Sequence, residues 1–385
     1  MTAAPAATPY DIRPVETAVD RKAFLRAPYA LYADDPHYVA PLEFELATRI
    51  NAAANPSLKT SPHQLWVAWR DGRPVGRISA IVNTAHIARY EDGAGHFGFI
   101  EAEDDPVLFD ALFGAASDWL RAQGAQKIAG PFNFSTNEEC GMLVDGFDAP
   151  PYIMMPHGRR YYPEHMERMG FSKAVDMHAL KWLPVREFIP EKRLAFVNKA
   201  LDKPDVEIRN LKAGDLLGDI RIILDIYHDA WSENWGFIPF TEDHAKQMAN
   251  ELKPIIQEHN VVLCYYKGEP AAFGLVLPNI NRAIRDFNGK LLPFNWAKLL
   301  WRLKVKGVDQ SRMPLMGVRK KLQKKPVGAA FAYKIIDMVN SANIDHGVTQ
   351  SELSWILESN ESMLTMLLDM GATIYKTYRI YEKPL

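Results

Sequence analysis

The chain has 385 residues, with 45 Lys and Arg against 47 Asp and Glu for a net charge of −2, 48% hydrophobic residues and two cysteines. That length predicts about two domains of ordinary globular composition, and a charge near zero argues against a surface built throughout for nucleic acid. Cys140 and Cys264 are too far apart in sequence for a disulfide framework and fit a reducing cytoplasm; no apolar run reaches the roughly 18 to 20 residues of a membrane span, and the first residues lack the parts of a signal peptide.

Residues 1–9 are small and Pro-containing, without periodicity, and predict a disordered start. Residues 10–185 form a first domain. LWVAWRDGRPVGRISAIVN (65–83) reads as a β-hairpin about a Gly-x-Pro turn. GAGHFG (93–98) has the spacing of a dinucleotide fingerprint but precedes a strand instead of opening a helix, which argues against such a site. The acidic EAEDDP that follows would repel a phosphate. Next come the helix DPVLFDALFGAASDWLRAQG and the strand KIAGPFN. A long polar loop then gathers Asn137, Glu138, Glu139, Cys140 and His157, and a loop of that length and polarity points to function, with Glu138 as a candidate base. Cys140 beside acids is a poor nucleophile, because carboxylates disfavour thiolate. MERMGFSKAVDMHALKW (166–182) reads as a short helix ending at Gly170 and an alternating strand, and 186–205 as a linker.

Residues 206–385 repeat this plan. VVLCYYKGEPAAFGLVLPN (261–279) aligns with 65–83 without a gap, placing Gly72/Gly268, Pro74/Pro270 and Asn83/Asn279 in register, and LLDMGATIYKTYRIYEK (367–383) aligns with 166–182. The offsets, 196 and 201, differ by a loop-sized indel, so the chain is two copies of one α/β unit.

The second copy carries an insertion, 280–312, with a helix opened by Pro293. On a helical wheel Trp296, Leu299, Leu300 and Leu303 form one apolar stripe; Phe294, Trp301 and Val305 form another on roughly the opposite side, flanked by Lys298, Arg302 and Lys306. A core helix needs one stripe, and Trp and Leu among Lys and Arg suit a helix lying in an anionic bilayer surface, so the first stripe is expected to contact membrane. Nucleic acid gives no reason for the Trp-Leu stripe. From Lys298 to Lys325 ten basic residues accompany one acid, Asp309, so this segment is +9 and the rest of the chain −11.

After the insertion, the strand Leu315-Met316-Gly317-Val318, a basic loop and a helix N-terminus make an anion site of backbone N–H groups, helix dipole and Lys. The spacing Val318, Gln323, Gly328 resembles the pyrophosphate loop of GNAT acyltransferases, with Pro326 at the position of the family's first Gly and Lys324 and Lys325 available to compensate for its missing N–H. Downstream, the strand ELSWIL, Asn360 and Gly371 eleven residues later follow the same family's order. AWSENWGFIPFTED (230–243), LPNINRAIRDFNGKLLP (277–293), YKTYRIYEK (375–383) and, in the first half, GPFNFSTNEECGMLVDGFDAPPYIMMP (130–156) extend the likeness to nearly the whole chain, which is similar to the tandem-GNAT family that includes bacterial ceramide synthase.

The resemblance implies two tandem GNAT-like domains of α/β (α+β) class, each a mixed, largely antiparallel sheet flanked by helices, the second binding acyl-CoA and the first lacking the loop. It implies a long-chain acyl-CoA co-substrate held by Met316, Val318, Gln323, Lys324, Lys325, Gly328 and Asn360, where the Met316–Val318 and Glu352–Ile356 strands splay apart, and N-acylation of a sphingoid base, sphinganine or its 3-oxo form, by a protein peripheral to the cytoplasmic face of the inner membrane. The family often places a general-acid Tyr seven residues after the Asn; here that residue is Leu367, leaving Tyr375 and Tyr378 as substitutes, with Tyr378 preferred. Glu352 is a candidate base, and strand alternation groups it with Ser354 and Ile356 against Leu353, Trp355 and Leu357. No metal-ligand spacing is present. A GNAT acetyltransferase acting on a soluble amine or peptide, and a non-catalytic acyl-CoA-binding protein, remain alternatives.

Overall fold

The computed structural model describes residues 9–385, so the expected disordered start lies, but for Pro9, outside the described residues. Two compact units emerge. One comprises the chain up to Met177, Ile284–Leu291 and Lys376–Leu385; the other comprises His178–Ala283 and Leu292–Tyr375. Residues 186–205 are therefore not a free linker: Glu191–Leu201 is a helix of the second unit, burying Val197 and Ala200 against Ala330. Likewise the chain's last residues serve the first unit, where Tyr381–Pro384 pair antiparallel with Gly130–Lys127.

In the first unit, strands Asp11–Pro14, His63–Arg70, Arg73–Ile81 and Ala94–Ala102 run antiparallel in that order, and Lys127–Gly130 lies parallel to the start of Ala94–Ala102. The helix Pro106–Ala122 starts at an Asp105 cap with Pro at its first position, and spaces Leu108, Phe109, Leu112, Phe113, Ala116 and Leu120 along one apolar face. That face covers the sheet.

The second unit repeats the arrangement with strands Val206–Asn210, Val261–Tyr266, Glu269–Pro278 and Gln310–Val318 antiparallel and Gln350–Leu357 parallel to Gln310–Val318. Its helix Pro326–Asp345 buries Val327, Phe331, Ile335 and Val339 on the sheet. Each unit is thus a mixed, largely antiparallel sheet flanked by helices.

The sequence repeat is reproduced in detail. The two hairpins turn at Asp71-Gly72 and Lys267-Gly268, all four residues with positive φ, as a two-residue turn matched to strand twist requires. Each also bulges by one residue just after its proline, because Trp69 faces Pro74 while Ala68 faces Gly76, and Tyr265 faces Pro270 while Cys264 faces Ala272. Gly170 and Gly371, both with positive φ, close the two matching helices. No helix among the described residues is long and apolar enough to cross a membrane.

Candidate active site

The candidate site grows from one interruption in the second sheet. Gln310–Met313 pair in parallel with Gln350–Leu353, and there the pairing stops, although the two strands continue to Val318 and Leu357. Pro314 follows Met313 and offers no N–H to any ladder. A bulge at the same level, where Leu275 faces Leu315 and Leu277 faces Arg312, adds a local kink. The strands therefore part into a wedge.

Backbone direction along one side of the wedge follows from register. The Arg319 N–H donates to the Ala271 carbonyl, so Arg319, Gly317 and Leu315 turn their polar groups toward Glu269–Pro278, and Met316 and Val318 turn theirs toward the gap. Both of those carbonyls are occupied: Trp231 Nε1 donates to the Met316 oxygen at 3.1 Å and Gln323 Nε2 to the Val318 oxygen at 2.9 Å. What faces the gap for a ligand is the pair of N–H groups of Met316 and Val318.

The basic loop closes the outer end. Leu322 is buried and anchors it, and a Cβ on Gly328 would lie 2.1 Å from the Leu322 carbonyl oxygen, so only glycine lets loop and helix approach this closely. Pro326 occupies the first helical position, leaving Val327 as the first residue of the helix with an N–H. The charge is less concentrated than the +9 segment implies. Arg319 pairs with Asp225, Lys320 with Glu233, Lys321 with Glu269, and Arg312 is buried. Lys324 and Lys325 stay exposed, with no ion-pair partner among the described residues. Gln323 reaches the Val318 carbonyl with its side chain, and Asn360 caps the helix Glu361–Asp369 by accepting from the Met363 N–H at 3.3 Å.

Glu352 is not a solvated strand end but fully buried. Its Oε1 accepts from Ser354 Oγ at 2.5 Å and lies 3.6 Å from Arg312 Nε; its Oε2 accepts from the Tyr375 hydroxyl. Arg312, 3% exposed, also donates to Ser354 Oγ at 2.8 Å and to the Ser354 carbonyl at 3.1 Å. Tyr375 alone in this cluster is partly exposed. Tyr378, the tyrosine preferred from sequence, is instead a fully buried residue of the first unit, opposite Leu143. Three positions apart on one strand, the two tyrosines face opposite ways, and only the fold shows which of them meets Glu352.

Glu138 also belongs to the first unit. Asn55 Nδ2 donates to its Oε2 at 3.2 Å, while Oε1 is sealed from solvent without a partner. Loss of water pushes this carboxyl up to about 7, against the pull of Arg49, which itself binds Glu139 at 2.7 Å. The first unit has no wedge. Past the end of its parallel pairing at His96/Ala129, its own chain fills the space: Phe134 is fully buried, the Phe99 N–H donates to Asn133 Oδ1 at 2.7 Å, and a Cβ on Gly98 would lie 1.9 Å from the Phe132 carbonyl oxygen.

In the insertion, Trp296 and Leu300 are exposed, whereas Leu299 and Leu303, expected beside them, are half-buried. Leu292, Phe294, Trp301 and Val305 complete the outer surface at 74%, 78%, 53% and 72% exposure. The helix Asn295–Trp301 continues with π winding over Arg302–Lys306, which shifts side-chain direction away from the wheel after Trp301.

No family model matches the chain. It is 43% identical over 373 residues to "Bacterial ceramide synthase" of Caulobacter vibrioides, covering 97% of both chains, and 43% identical over 371 residues to "Protein YghO" of Escherichia coli K12, covering 95% of this chain and 93% of that one. Among solved structures, a tandem GNAT protein from the clavulanic acid biosynthesis pathway superposes with a TM-score of 0.57 at 11% identity, over 97% of this chain and 98% of that one. A GCN5-related N-acetyltransferase from Sphaerobacter thermophilus does so with a TM-score of 0.54 at 12% identity, over 98% and 96%.

Proposed function

Because this chain belongs to the tandem-GNAT acyltransferase family that includes bacterial ceramide synthase, we propose that it transfers a long-chain acyl group from acyl-CoA to the amine of a sphingoid base, sphinganine or 3-oxosphinganine. The observation that carries the reading is the wedge with the Met316 and Val318 N–H groups turned into it. Donors fixed at that place would polarise a thioester carbonyl and hold the oxyanion that forms when nitrogen attacks. Lys324, Lys325 and the start of the helix Pro326–Asp345 would take the phosphates.

The amine must be neutral to attack. In this reading Tyr375 accepts a proton from the substrate ammonium while passing its own to Glu352, so the buried carboxylate acts through the tyrosine. The C–N bond then forms, the C–S bond breaks, and the nitrogen sheds a second proton as the thiolate takes one up, giving the amide and free coenzyme A. The amphiphilic acceptor is supported by the exposed surface of Leu292, Phe294, Trp296, Trp301 and Val305 interleaved with Lys304 and Lys306, a composition suited to an anionic bilayer surface. The protein would work there as a peripheral enzyme on the cytoplasmic face of the inner membrane.

The test is to incubate purified protein with long-chain acyl-CoA and each base and to look for amide by mass spectrometry. No product with either base, together with turnover of acetyl-CoA on a small soluble amine, overturns the assignment.

A further inference from the structure

Strand alternation sends Glu352 and Ser354 to one face of Gln350–Leu357 and Ser351 and Leu353 to the other. On that second face lies a cleft lined by Val276, Met313, Ile336, Val339, Leu353 and Leu367. The cleft is narrow and open on one side. Met313 and Leu353 are also the last residues of the parallel pairing, so the cleft sits at the closed end of the wedge.

The polar groups at its edge are turned to one another. Asn340 accepts from Trp182 Nε1 at 3.1 Å and donates to the Val185 carbonyl at 2.9 Å; Asn343 donates to Ser351 Oγ at 3.2 Å, and Ser351 Oγ in turn lies 2.8 Å from Ser311 Oγ. With those donors and acceptors occupied, the wall presents hydrocarbon, and such a cleft favours an apolar guest over water. Leu367 is part of that wall, at the position where the resembling family often carries a proton-donating tyrosine. A hydroxyl there would need a polar partner; a leucine adds apolar surface.

We propose that this cleft receives the acyl chain of the acyl-CoA, with Val276, Val339 and Leu353 setting the length accepted. The proposal rests on the acyl-CoA-dependent reading above. It places the hydrocarbon on one face of the Gln350–Leu357 strand and the Glu352–Tyr375 proton path on the other, so the chain and the incoming amine do not compete for the same space.

The experiment is calorimetric titration of the full-length protein with acetyl-, butyryl-, octanoyl- and palmitoyl-CoA below their micelle concentrations. Wild type is expected to bind more tightly with each added methylene, by up to about fourfold per group, until the cleft is full. Val339→Phe should leave acetyl-CoA binding unchanged and abolish the gain from longer chains, and Val339→Ala should carry the gain to longer chains. Binding independent of chain length in wild type overturns the proposal. So does a gain that survives unchanged in a folded Val339→Phe protein; where that variant does not fold, an unshifted Val339→Ala profile overturns it equally. A chain-length gain without amide from either sphingoid base would sink the acceptor assignment and support this subsite, whereas amide formation with flat binding would sink the subsite alone.

Discussion

Arg312→Met tests the buried centre of the second unit. Arg312 is 3% exposed and Glu352 fully buried, with Nε and Oε1 3.6 Å apart and Ser354 between them. At an effective dielectric of about 20, charges at that distance attract by roughly 4 to 5 kcal/mol, and removing one partner of a buried pair costs about 3–5 kcal/mol because the remaining charge is stranded. Methionine fills much of the side-chain volume, so the cavity contribution stays small. Urea unfolding at neutral pH should therefore show Arg312→Met less stable by about 3–5 kcal/mol, and the double variant Arg312→Met/Glu352→Leu should recover most of that loss. If the single variant lies within about 1 kcal/mol of wild type, or the double variant is no better than the single, the two charges are not coupled and the reasoning from the buried pair is refuted.

Four further outcomes are expected. Glu352→Gln and Tyr375→Phe should each lower kcat for amide formation by roughly 10²- to 10⁴-fold with little change in acyl-CoA affinity, and a wild-type kcat in either removes the relay. Lys324→Ala/Lys325→Ala should weaken acyl-CoA binding about tenfold at low ionic strength, with the gap narrowing in molar salt as screening takes over; a gap indifferent to salt would mean the lysines do not meet phosphate. Leu292→Glu/Phe294→Glu should abolish flotation with anionic liposomes while leaving the folded signal intact, and unchanged flotation removes the membrane argument. Glu138 is held at about 7 against an ordinary 4.5, so it is neutral in the fold where the unfolded chain is already ionised. Wild type should therefore lose stability relative to Glu138→Gln as pH rises from about 4.5 to about 7, by roughly 3 kcal/mol in total, and parallel stability curves would show that the carboxyl is better solvated than its geometry implies.

Features set by local chemistry were legible in the sequence. Gly72 and Gly268 mark turns because they take positive φ cheaply, Gly328 marks the tight loop because any Cβ would strike the Leu322 carbonyl, and the two-copy plan follows from matching such positions across the chain. Features that depend on a partner were not. Arg312 looks like one more member of a basic run until the parallel register sets it across from Glu352. Tyr375 and Tyr378 are equivalent aromatic residues of one strand in the sequence, because alternation says which residues share a face and not what that face meets, and it is Tyr375 that reaches Glu352. The helical wheel places Leu303 by an angle per residue that the π winding over Arg302–Lys306 does not keep, whereas Leu299 lies before that winding, in the α-helix Asn295–Trp301, and its half-burial has no such cause.

The two copies also explain why one of them is chemically open. Both begin a parallel pairing, and both strands must then satisfy the backbone groups freed where it ends. The first unit does so with its own chain: Asn133 takes the Phe99 N–H, and the absence of a Cβ on Gly98 lets the Phe132 carbonyl press against it. The second satisfies only its acceptors, through Trp231 on Met316 and Gln323 on Val318, and leaves N–H donors facing the gap. An acidic loop at the mouth of the first and two exposed lysines at the mouth of the second match that difference in sign. Retaining unpaired donors lowers stability where no ligand meets them. That they occur beside cationic loop residues in one copy, and are capped internally in the other, is the pattern expected if only the second copy keeps its donors for an acyl carbonyl.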